Sequence, residues 1–127
     1  MSVLVDEATR VIVQGATGYQ GRHHVRAIQE FGGTVVAGVT PGRGGGMVHD
    51  VPVYDTVRES LSHGPNASLV LVPALHTRDA VYEAVDGGIE LVVVVTDGVP
   101  VNDAMDMVQY ARCHSATLIG PNCPGFV

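Results

Sequence analysis

Val11-Ile12-Val13-Gln14-Gly15-Ala16-Thr17-Gly18-Tyr19-Gln20-Gly21 carries an apolar, β-branched run straight into a glycine turn. A helical pattern comes next, over residues 20–31. Strand, tight turn and helix N-terminus in that order make an anion site. The turn exposes backbone N–H groups, and the helix dipole adds partial positive charge. A phosphate or pyrophosphate is the usual occupant. The spacing is G-x-x-G-x-x-G, not the G-x-G-x-x-G dinucleotide fingerprint. Glycines so spaced also serve a plain tight turn, so the rest of the chain must identify a ligand.

Outward from this unit, apolar runs alternate with helical patterns. Arg10–Gln14 reads as the first strand and Thr34–Val39 as the second. Residues 40–50 read as a glycine-rich loop and Val51–Tyr54 as a short strand. A helix is expected over 56–62 with Asp55 as its N-cap. A strand over 68–72 ends at Pro73. A helix over 77–85 is closed by Gly87-Gly88. A strand over 91–95, a helix over 100–114 and a strand at Thr117–Ile119 complete the pattern. The strands are short, continuous and rich in Val, as in a parallel sheet buried on both faces. The alternation predicts an α/β, Rossmann-like, doubly wound parallel sheet of about five strands. Ligands of such sheets bind beyond the carboxyl ends of the strands.

Composition narrows the function classes. The chain has 127 residues, enough for one domain with its own core. The formal net charge of -6 disfavours non-specific nucleic-acid binding and anionic membrane surfaces. All 7 basic residues are Arg, so no lysine serves as Schiff base or phosphate anchor. Cys113 and Cys123 form no CxxC motif, which fits a reduced, cytoplasmic chain. The 6 histidines form no HExxH or other metal spacing. The N-terminus turns acidic too early for a signal peptide, and no apolar run is long enough to span a bilayer.

The loop after the second strand narrows the ligand further. An NAD site wants a carboxylate there, about 20 residues past the glycines, to hold the ribose 2′-hydroxyl. This chain has Val39-Thr40-Pro41-Gly42-Arg43 instead. An arginine in a glycine loop suits a ligand with an extra phosphate on its adenosine ribose. NADP and coenzyme A (CoA) both qualify.

Taken together, the motifs resemble the N-terminal, CoA-binding domain of the succinyl-CoA synthetase (succinate–CoA ligase) α subunit. The carrying segments are residues 14–21, Gly38-Val39-Thr40-Pro41-Gly42-Arg43-Gly44-Gly45, residues 52–59, Val72-Pro73-Ala74, Thr96-Asp97-Gly98-Val99-Pro100 and Ile119-Gly120-Pro121-Asn122-Cys123-Pro124-Gly125. They span essentially the whole chain, in order. The resemblance implies a CoA site made by Thr17, Gly18, Tyr19, Gln20 and Gly21 of the first loop. Pro41 and Arg43 of the second loop and Thr96, Asp97 and Gly98 join them. It implies that Val72, Pro73 and Ala74 line the nucleotide cleft, and that Asn122 and Cys123 lie near the reactive end of CoA. Three positions depart from the family: Arg43 stands for the usual Lys, Tyr19 for Ser, and Asp97 for Glu.

The resemblance also implies a division of labour. Residues 1–127 correspond to the CoA-binding domain, and the family's domain with the phosphorylated histidine has no counterpart in them. The expected role is the CoA-binding component of an acid–CoA ligase, with no catalytic residue of its own. CoA would be held for attack on an acyl phosphate formed through a phosphohistidine on another domain or chain. A ligase-domain chain and an ATP-grasp β-type subunit are the expected partners. Two other readings stay open: a stand-alone CoA- or acyl-CoA-binding regulatory module, and an NADP-binding redox fragment.

Overall fold

A computed structural model describes residues 8–120. Arg10–Gln14 (β1) leads through the glycine turn into Tyr19–Glu30 (α1). Thr34–Val39 (β2) is next, then Met47–Val48 (β3) and Val51–Tyr54 (β4). Val57–Ser60 (α2) continues as a 3-10 turn, Leu61–His63. Ala67–Val70 (β5), a second 3-10 turn at Ala74–His76, Thr77–Asp86 (α3), Leu91–Val94 (β6), Val101–Cys113 (α4) and Thr117–Ile119 (β7) complete the order.

The seven strands form one sheet in the order β3-β4-β2-β1-β5-β6-β7. Every pairing is parallel except the β3–β4 hairpin. The doubly wound α/β fold is therefore as expected, with more strands than about five. Beyond the six strand segments read from the sequence, the addition is β3, which falls inside the expected loop 40–50. Its hairpin turns at His49 and Asp50, with φ of 48° and 69°. Both central residues at positive φ match the twist of a two-residue hairpin, and His and Asp tolerate that region better than most residues. With no Asn-Gly or Asp-Gly signal, the turn is hidden in the sequence.

Adjacent residues of β1 serve opposite faces, as strand geometry requires. Ile12 packs with Val57, Val81, Ile89, Val92 and Met107, under α2, α3 and α4. Val13 packs with Ala16, Val25, Val48 and Val53, under α1. The sheet changes direction beside β1: β2 lies on one side and β5 on the other. Between two such strands the outgoing loops diverge and leave a crevice.

A buried polar contact fixes the helix that walls this crevice. Gln14 ends β1 and is only 2% exposed. Its Nε2 donates to the Ala80 carbonyl on α3 at 2.9 Å, and its Oε1 accepts from the Ser68 hydroxyl on β5 at 2.6 Å. One carboxamide thus ties β1 to both the neighbouring strand and α3. Gln14→Leu would strand the buried Ser68 hydroxyl and cut the tie to α3. The expected cost is about 1–3 kcal/mol, read as a lower urea midpoint with an unchanged slope.

On the outer side of this layer, α3 and α4 are joined through their polar faces. Arg78 pairs with Asp103 at 3.5 Å and Asp106 at 2.9 Å, which raises its pKa. Tyr82 stacks on Tyr110 with ring centroids 4.2 Å apart, and the Tyr110 hydroxyl donates to Asp86.

Candidate functional site

A cleft of about 510 Å³ opens where the sheet reverses, bounded by three loops and one helix face. The loop after β1 contributes Gly15, Thr17 and Gly18. The loop after β2 contributes Thr40 and Pro41, beside Val39. The loop after β5 contributes Leu71, Val72 and Pro73. His76, Asp79, Ala80 and Glu83 close it from α3 and the turn before it.

The three glycines of the first loop have different jobs. Gly15 has φ of 91°, and a Cβ there would sit 2.7 Å from the Leu71 carbonyl oxygen. Its N–H donates to the Val39 carbonyl at 2.7 Å, so Gly15 is wedged between the strand ends on either side. Gly21 is buried, and a Cβ there would lie 2.0 Å from the Gly15 carbonyl oxygen. These two glycines are demanded by chain packing. Gly18 is not: its φ is -73°, and the nearest atom to an added Cβ is 3.7 Å away. Gly18 lines the cleft, so the space it leaves belongs to the site.

Gly18 is also the N-cap of α1. It has no side chain to cap the helix, and the first turn holds no acidic residue. The first-turn N–H groups, including those of Tyr19 and Gln20, therefore keep their partial positive charge for an anion. Arg22 steadies the loop: its Nε donates to the Thr17 carbonyl at 3.0 Å. Tyr19 is 87% exposed, so the phenol replaces no core contact.

Arg43 is exposed on the loop that continues from Thr40 and Pro41. Asp55 shapes that loop. Its Oδ1 accepts the Gly42 N–H at 2.8 Å and the Gly44 N–H at 2.9 Å, gripping the backbone on both sides of Arg43. A Cβ on Gly44 would meet the Asp55 carboxylate at 2.7 Å and push it from its place. The expected N-cap role of Asp55 therefore passes to Thr56. The Thr56 hydroxyl accepts the Glu59 N–H, and Glu59 reaches back to the Thr56 N–H, a full capping box. Asp55→Ala should release both glycine amides. Their hydrogen exchange should speed up by about fivefold, for about 1 kcal/mol per bond lost, while the amides of β1 stay unchanged.

The sequence-derived residues take up different places. Thr17, Gly18, Pro41, Val72 and Pro73 meet in the cleft, with Tyr19 and Gln20 at its helical edge and Gly21 beneath the loop. Ala74 begins the turn that leads to His76. Thr96 acts from the next loop: its hydroxyl donates to the Val72 carbonyl at 2.9 Å, fastening the loop after β6 to the loop after β5. Asp97 and Gly98 are exposed and do not line the cleft. Asn122 and Cys123 lie outside the described residues.

The α3 wall is not among the residues that sequence singles out. His76, Asp79, Ala80 and Glu83 keep the i, i+3, i+4, i+7 pattern of one helix face, directly after a loop at the sheet's reversal point. Polar residues at that spacing are the available signal. Among the described residues, no group of three or more His, Cys, Asp or Glu side chains could hold a metal ion. Among them also, no helix is long and apolar enough to cross a membrane.

The chain is similar to known proteins along its whole length. The family model described as "CoA binding domain" matches residues 6–98. A succinate–CoA ligase [ADP-forming] subunit alpha 2 from Archaeoglobus fulgidus is 50% identical over the whole chain, which spans 45% of that protein. The corresponding alpha subunit of Aquifex aeolicus is 48% identical, again over the whole chain and 43% of the relative. The chain thus spans less than half the length of these relatives. Among solved structures, a dinucleotide-forming acetyl-coenzyme A synthetase 1 from Ca. Korarchaeum cryptofilum superposes with a TM-score of 0.76. It is 17% identical, and the match covers 91% of this chain and 26% of that one. At that identity the likeness speaks for the fold alone.

Proposed function

The chain belongs to the CoA-binding domain family, and on that premise we propose that the cleft beside β1 grips CoA for an acid–CoA ligase of the succinyl-CoA synthetase type. The observation that carries the reading is Gly18: an uncapped helix start, open to the cleft, at a position where the fold itself tolerates a side chain. The Tyr19 and Gln20 N–H groups would hold the pyrophosphate. Arg43, on its pinned loop, would hold the 3′-phosphate as a planar fork. Thr17, Pro41, Val72, Pro73 and Ala74 would shape the nucleotide end. Thr96, Asp97, Gly98, Asn122 and Cys123 would run along the pantetheine arm toward its thiol.

The work of this domain is binding and orientation, which lowers the barrier by holding a reactant in place. Residues 1–127 would form the CoA-binding part. The phosphorylated histidine and an ATP-grasp β-type subunit would come from outside it; that the relatives are named alpha subunits supports a further subunit. Isothermal titration of the chain with CoA, dephospho-CoA, NADPH and NADH tests the reading. CoA should bind best, and dephospho-CoA more weakly. Binding of NADPH alone would replace the reading with a redox one.

A further inference from the structure

The cleft has an acidic side that phosphate binding does not use. The N-terminus of α1 stands on one side, and α3 brings Asp79 and Glu83 to the cleft. Carboxylates repel phosphate, so the α3 wall must face a part of the ligand that is uncharged and donates hydrogen bonds. Glu83 is already engaged: its Oε2 accepts the Val57 N–H at 2.7 Å. Asp79 is exposed and has no hydrogen bond or ion pair within the described residues. The same cleft is also lined by the apolar Val39, Pro41, Leu71 and Ala80, as suits a flat ring. Arg43 lies on the loop that continues from Pro41, so a 3′-phosphate held there would bring the attached adenosine to this same end.

We infer that Asp79 is a specificity residue for the base: its carboxylate accepts a hydrogen bond from the exocyclic amino group of the adenine of CoA. The inference rests on the CoA reading above and deepens it. Asp79 also stands in the first turn of α3, where a negative charge favours the helix dipole. That second role is blind to the base, so the two roles separate by experiment.

The test uses CoA and its hypoxanthine analogue, in which a keto oxygen replaces the amino group, titrated into the parent chain and into Asp79→Asn. The parent should prefer CoA by about tenfold or more, because a carboxylate cannot pair with a keto oxygen. Asp79→Asn offers an amide that pairs with either base, so the preference should collapse toward unity. An equal loss on both ligands in Asp79→Asn, or an unchanged preference, would overturn the inference while leaving the CoA reading intact. So would a parent that binds both ligands equally. A parent that binds neither would overturn the inference together with the reading.

Discussion

Gly18→Val should leave the fold standing and weaken CoA binding by about 100-fold or more. The two halves of this expectation come from different observations. The backbone at Gly18 has an ordinary negative φ, and an added Cβ meets nothing closer than 3.7 Å. The fold therefore loses little. The ligand loses its approach: an isopropyl group at the N-cap stands where a pyrophosphate must come within hydrogen-bond distance of the Tyr19 and Gln20 N–H groups. Forfeiting two charge-assisted bonds of about 1.5 kcal/mol each gives roughly that factor. Gly21→Ala is the contrasting variant. Its Cβ would lie 2.0 Å from the Gly15 carbonyl oxygen, so the α1 start must shift and the chain should be destabilised by several kcal/mol. Thermal unfolding and calorimetric titration of both variants check the pair. Unchanged CoA affinity in a folded Gly18→Val chain would remove the loop from the site.

Arg43→Ala should separate two ligands that differ by one phosphate. CoA affinity should fall by about 10- to 100-fold, the value of a charged hydrogen-bond pair at a partly open site. Dephospho-CoA should be nearly indifferent. Stability should not change, because Arg43 is exposed and Asp55 holds the loop through the flanking glycine amides. Arg43→Lys restores charge but not the planar fork, so it should recover only part of the affinity. Equal weakening of both ligands would move Arg43 from the 3′-phosphate to the pyrophosphate.

Local features are the legible ones in this sequence. The β1–turn–α1 unit announces itself through β-branched residues, glycines and a helical pattern within about one supersecondary unit, and β1, β2, β4 and β7 have the expected bounds. Long-range contacts are harder to read. Asp55 looks like an N-cap because the helix start is next to it, yet its carboxylate is drawn to Gly42 and Gly44, 13 and 11 residues away. The strand expected over 68–72 ends at Val70, because the chain leaves the sheet to shape the cleft at Leu71 and Val72. The β3 hairpin is hidden since its turn uses His49 and Asp50 in place of glycine. Gln14 reads in sequence only as part of the glycine motif. Its role as a buried tie depends on Ser68 and Ala80, which local sequence does not pair with it.

CoA in the cleft beside β1, with its phosphates at the start of α1, would mark particular backbone amides. Backbone amide NMR of the chain during a CoA titration tests this most directly. The largest shifts should fall on Tyr19 and Gln20 and on the Gly42–Gly46 loop, with the amides of α4 nearly still. Shifts confined to the outer faces of α3 and α4, or none at millimolar CoA, would contradict it.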